Sequence, residues 1–121
     1  EYHMEYGKKI WIFADGDLPP QGNVEPLGHE ALSIVNCGDE DAVVETMILF
    51  PDREPDIIEL KVGARRVDCF RLDYPIGESK YQIPHGQYAL RLVSNVPIVA
   101  VLGRLDRREN CAYYEQDGFC M

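Results

Sequence analysis

The sequence predicts an all-β domain: an antiparallel β-sandwich of about seven to eight strands, jelly-roll-like in character. Three observations carry this expectation. Turn residues recur at short intervals, as in Asn36-Cys37-Gly38-Asp39-Glu40-Asp41 and Pro84-His85-Gly86. The segments between them are of strand length, rich in Val, Ile, Leu and Tyr, and alternate in polarity. No gap between them reads as the ten-residue helix that a parallel crossover requires.

Taken in order, the strands are expected at 9–14, 29–36, 42–50, 56–62, 66–72, 87–93 and 98–104. In 42–50 the residues Val44, Thr46, Ile48 and Phe50 share one face, opposite Val43, Glu45, Met47 and Leu49. The pattern is cleaner in 56–62, where Ile58, Leu60 and Val62 oppose Ile57, Glu59 and Lys61. In 87–93, Tyr88, Leu90 and Leu92 oppose Ala89, Arg91 and Val93. Ser94-Asn95-Val96-Pro97 reads as a turn between the last two strands. The tail after Arg107 starts as a short helix or stays irregular; 109–121 has no assignment, and the domain is placed at 4–108. Residues 1–3 read as a cloning remnant, with Met4 as the native start.

At 121 residues the chain is one domain, with enough surface to bury for a core without staples. Its net charge of −9 opposes phosphate, so nucleic acid is not an expected partner, nor is an anionic lipid surface. The longest apolar run, Val96 to Gly103, is far short of the roughly twenty residues of a membrane helix. No secretory signal is visible, so the expected compartment is the cytoplasm. Of the cysteines, Cys37, Cys69, Cys111 and Cys120, no pair has a zinc spacing; free thiols are expected, with a Cys111–Cys120 disulfide as the alternative. No metal and no cofactor is expected.

Catalytic constellations are missing in kind. Gly16-Asp17-Leu18-Pro19-Pro20-Gln21-Gly22 lacks the ending of a phosphate loop, and its prolines remove backbone donors. Asp39-Glu40-Asp41 lacks the ligand pattern of a calcium loop and reads as a solvated turn. His29 and Glu30 are adjacent on a strand and point to opposite faces, so they do not form an acid/base pair by default. No nucleophile has a recognisable context. The chain is therefore expected to bind rather than catalyse.

Candidate binding groups lie near strand ends. Trp11 is either a core aromatic or a face on which a sugar stacks. His29, Asn36 and Asn95 offer hydrogen bonds, and Arg66 and Arg104 are charged donors. Asp106, two residues from Arg104 on the same strand face, is expected to orient it. The expectation is that several of these seven converge on one pocket; the alternative is separate structural hydrogen bonds.

Several segments follow one another along the chain: Trp11-x-x-Ala14-x-Gly16, Pro19-Pro20-x-Gly22-Asn23, His29-Glu30, Asn36-x-Gly38-Asp39-Glu40-Asp41-Ala42, Ala64-Arg65-Arg66, Ile83-Pro84-His85, Ser94-Asn95-Val96-Pro97-Ile98-Val99 and Arg104-Leu105-Asp106. Together they resemble the sensory rhodopsin transducer family. The resemblance implies a β-sandwich assembling as a homotetramer. It implies a non-catalytic module that binds a small molecule, with sugars or related metabolites favoured, in a signalling or metabolic context. The alternative it implies is a soluble signal transducer or protein-interaction module coupled to a rhodopsin-like receptor.

Overall fold

The computed structural model describes residues 5–108 and 112–121. The expected remnant 1–3 and its Met4 start lie outside them, as does Cys111 of the possible disulfide. Eight strands are present: β1 (Lys8–Leu18), β2 (His29–Asn36), β3 (Ala42–Leu49), β4 (Asp56–Val62), β5 (Arg66–Arg71), β6 (Gly86–Asp106), β7 (Ala112–Gln116) and β8 (Phe119–Cys120). All pairings are antiparallel. No helix occurs among the described residues, and the all-β expectation holds.

Two sheets share one strand. The first has the order β4-β3-β6-β1-β8; in the second, β2 lies between β5 and β6, and β7 pairs with the other edge of β6. The early part of β6 pairs with β1 and β3, and from Val99 onward it pairs with β2 and then β7. The two strands expected at 87–93 and 98–104 are thus one strand of 21 residues. Even-numbered residues from Tyr88 to Arg104 point inward along almost its whole length, so one alternating face serves both halves of the core.

The expected turn at Ser94–Pro97 is the point where β6 changes sheets. Register against β1 jumps from Ile10↔Val93 to Lys8↔Ile98, leaving Asn95, Val96 and Pro97 outside that ladder. Proline costs nothing where no ladder bond is required of its nitrogen. The Asn95 side chain carries the pairing on: Oδ1 accepts from Val43 N at 2.7 Å, and Nδ2 donates to the Asp41 carbonyl at 3.3 Å.

A second irregularity lies in β1, between Phe13↔Leu90 and Gly16↔Tyr88, where one extra residue bulges out. It carries the strand on through Gly16 to Leu18, beyond the expected end at 14. Gly16 is needed there on steric grounds, because a Cβ would lie 2.5 Å from Cζ of the buried Tyr88 ring. Gly16→Ala is therefore expected to cost about 1–3 kcal/mol by overpacking. The readout is a lower urea midpoint at unchanged slope; an unchanged midpoint would mean that the ring swings aside freely.

The tail corrects the expectation of a short helix or an unassigned end. Its two short strands close the same side of the sandwich, β7 on the second sheet and β8 on the first. Between the sheets the core packs Phe13, Leu32, Ile34, Ile48, Leu60, Leu90, Leu92 and Ile98, each at most 1% exposed.

Candidate functional site

The inner faces of β2 and β6 bring one carboxylate and one guanidinium directly opposite each other, through the register Glu30↔Arg104. Glu30 is fully buried. Its Oε2 accepts from Arg104 Nε at 3.1 Å, and its Oε1 accepts from the Tyr88 hydroxyl at 2.5 Å. Both oxygens accept from the Asp17 backbone N–H, at 3.2 and 3.1 Å. The β1 bulge supplies the remaining partner: the Asp15 carbonyl accepts from Arg104 Nη2 at 2.7 Å and from Gln116 Nε2 at 2.8 Å. Arg104 Nη1 donates to the Tyr114 hydroxyl, whose ring centroid lies 4.9 Å from the guanidinium carbon.

Burial raises the Glu30 carboxyl above the ordinary glutamate value, against the opposing pull of Tyr88, Asp17 and Arg104. Burial alone would lower Arg104, but the Glu30 hydrogen bond and charge outweigh it and hold the guanidinium above its usual value. The Tyr88 hydroxyl is raised by burial and then by the charge of Glu30. Chemically this set is saturated. It holds a charge pair inside the sandwich and locks β1, β2 and β6 to each other, with β7 joined at the rim through Tyr114 and Gln116.

The structure does not bring the seven expected binding residues together. Arg104 joins none of the other six; the expected orientation by Asp106 is corrected, since Glu30 holds Arg104. Asp106 instead binds Arg108 through both oxygens, at 3.1 and 2.7 Å, and that bond holds its carboxyl down at about 2. Trp11 is a core residue, stacked on Phe13, and its indole N–H donates to the carbonyls of Lys8 at 3.0 Å and Ile98 at 3.1 Å. Asn36 is fully buried; its amide donates to Glu40 O and Val62 O and its oxygen accepts from Gly38 N, which closes the acidic turn. His29 Nδ1 bonds to Leu27 O at 2.7 Å. Arg66 is exposed and donates to Arg65 O. Asn95 serves the sheet switch described above.

Sequence reasoning missed Glu30 as the partner of Arg104. The signal was present, since Glu30 lies on the same face of 29–36 as Leu32 and Ile34, and an inward carboxylate requires donors.

The outer faces have a different character. Across the first sheet, Ile57, Met47, Arg91, Ile12 and Phe119 form one row over all five strands. Ile57 is 58% and Phe119 63% exposed, and Val43, Leu49 and Ile12 beside them are exposed too. Arg91 sits mid-row and donates to Glu45 at 3.3 Å, while its Nε is buried without a hydrogen-bond partner among the described residues. On the second sheet, Val67, Val35 and Val99 form a shorter apolar row. A cleft of about 400 Å³ lies apart from both rows, between Tyr6, Cys37, Asp39, Glu40, Val96 and Pro97.

Comparison with known proteins places this architecture. A protein from Thermotoga maritima, known as 1070 from its crystal structure, is 32% identical, with 95% of this chain and 96% of that chain covered and a TM-score of 0.84. The Anabaena sensory rhodopsin transducer is 41% identical, with 87% of this chain and 94% of that chain covered and a TM-score of 0.72. No curated protein matches the sequence. The family model of the Anabaena sensory rhodopsin transducer matches residues 6–115, which takes in β1 to β6, the Glu30–Arg104 pair and all but the last residue of β7. The chain belongs to the Anabaena sensory rhodopsin transducer family.

Proposed function

We propose that this chain is a non-catalytic protein-interaction module that relays a signal from a rhodopsin-like receptor in the cytoplasm, and that it works as a closed ring of four copies. The observation that carries the reading is the row Ile57–Met47–Arg91–Ile12–Phe119: four apolar residues around an arginine whose buried Nε has no hydrogen-bond partner among the described residues. Exposed apolar rows are stabilised by a covering protein surface, and a carbonyl or carboxylate from that surface would satisfy Arg91 Nε. Two such faces on one chain suit a module that contacts its own copies and a further partner. Family membership supports the receptor as that partner. The sugar reading has less support, because the indole meant for stacking is in the core.

Calorimetric titration against a microbial rhodopsin held in lipid nanodiscs tests the proposal. The unmodified chain is expected to bind with a dissociation constant on the order of micromolar. Ile57→Glu should weaken that about tenfold or more while leaving the fold intact. No heat from the unmodified chain, or equal heat from both, would overturn the receptor reading.

The small-molecule reading rests on the 400 Å³ cleft at Tyr6 and Cys37, a volume that suits a small metabolite. A thermal-shift screen against metabolites, with Gly38→Trp as the blocked control, separates it from the interaction reading.

A further inference from the structure

The strap formed by residues 112–121 is held mainly through its backbone. It crosses from β7 on the second sheet to β8 on the first, over the side where β1 and β6 would otherwise end. It contributes almost nothing to the core: Tyr113 and Phe119 are 63% exposed, Tyr114 is 42% and Met121 is 63%. What holds it is its backbone pairing, two side-chain hydrogen bonds and the close approach of one glycine. Ile10 and Met121 exchange hydrogen bonds of 3.1 and 3.0 Å at the edge of β1. The Tyr114 hydroxyl accepts from Arg104, and Gln116 reaches the Asp15 carbonyl. Gly118 lies flush on Phe13, where a Cβ would stand 2.7 Å from the ring and 2.9 Å from the Ile12 carbonyl.

The surface underneath asks for a covering strand. With the strap in place Arg104 keeps only 8% of its side chain exposed, and its Nη1 donates to the strap's Tyr114, so lifting the strap would bare a cation. The edge of β1 presents the N–H and C=O of Ile10, which must be paired or solvated. A thin segment with exposed side chains opens at low free energy, whereas the site beneath it is fixed by the buried pair with Glu30.

We infer that residues 112–121 are a detachable internal ligand, and that the groove they fill accepts an extended segment of a partner protein by strand addition. The groove dictates what that segment carries. It needs a backbone ladder along Ile10 to Ile12 and a residue without a side chain over Phe13. Four residues earlier it needs an acceptor for Arg104, where a carboxylate binds a guanidinium more strongly than the Tyr114 hydroxyl does. The partner is thus a segment with an acidic residue four places before a glycine. Strap and partner compete for one groove, so the strap sets the affinity that any partner observes. The inference extends the interaction reading to the edge of β1, beside the row that ends at Phe119, and its test does not involve a receptor.

Hydrogen exchange on the full chain tests it. The amides of Ile10 and Met121 are expected to exchange together, at least about tenfold faster than those of Ile48 and Leu90 within the inner ladder. Gly118→Ala in the full chain should speed both edge amides about tenfold again and leave the inner ladder unchanged. Tyr114→Phe, which keeps the ring and loses the acceptor, should act in the same direction and guards against a fold defect in the first variant. A fluorescent peptide of residues 112–121, with serine for Cys120, should bind the Gly118→Ala chain about tenfold more tightly than the unmodified chain. Edge amides as slow as the inner ladder in all three chains, or equal peptide binding by both, would overturn the inference.

Discussion

Glu30→Ala is expected to destabilise the fold by about 3–5 kcal/mol, because it leaves a buried guanidinium with only the exposed Asp15 carboxylate, 3.7 Å away, as counter-charge. Glu30 is fully buried, and the Arg104 side chain is 8% exposed, so water does not readily take the carboxylate's place. Tyr88 and the Asp17 N–H lose their acceptor in the same step. Glu30→Gln keeps the shape and isolates the charge; it is expected to fall between the unmodified chain and the alanine variant. The two differ in pH dependence as well. Because the folded chain holds the Glu30 proton more tightly than the unfolded chain, this group's contribution is fully present below 4.5 and declines as pH rises through its folded value. Urea midpoints across the acid range should show that decline in the unmodified chain and not in Glu30→Gln. A loss below about 1 kcal/mol for Glu30→Ala would mean that Arg104 finds another partner or leaves the interior.

Trp11→Ala is expected to cost about 3–5 kcal/mol, the range for truncating a large buried aromatic. The ring is 8% exposed and stacks on Phe13 with centroids 6.3 Å apart. Its N–H has a specific task as well, donating to the Ile98 carbonyl at 3.1 Å, where β6 passes from one sheet to the other. Trp11→Phe keeps most of the packing and loses that bond, so about 1–3 kcal/mol is expected from the unpaired carbonyl. Thermal or urea unfolding reads both. A stacking platform for a ligand would behave in the opposite way, with stability nearly unchanged and binding lost.

These two residues show what was legible in the sequence. Alternation located strand 56–62 to the residue, because one face is buried and the other largely open, and the flanking turns placed strand 29–36 to the residue. The same rule sends Glu30 inward with Leu32 and Ile34, and Arg104 inward with Leu102 and Ala100. The pairing of the two was not legible, because it depends on the cross-strand register. Directly opposed residues in an antiparallel pair lie about 5 Å apart at Cβ, closer than neighbours two along one strand, at nearly 7 Å. Arg104 therefore takes Glu30, and Asp106 is left for Arg108. Pro97 and Asn95 read as a turn because proline and asparagine break strands in most settings. Here the ladder changes partners at that point, so the missing N–H goes unnoticed. The tail carried no periodic signal because its side chains stay exposed and its backbone does the pairing.

On the proposed reading, protein covers the outer faces of the sandwich, while its inner polar groups serve the fold. Light scattering on the unmodified chain at micromolar concentration tests this most directly. The expected mass is near four times 13.8 kDa, with Val67→Glu on the second-sheet row shifting it toward smaller species. A mass of 13.8 kDa for the unmodified chain, unchanged by that substitution, would contradict it.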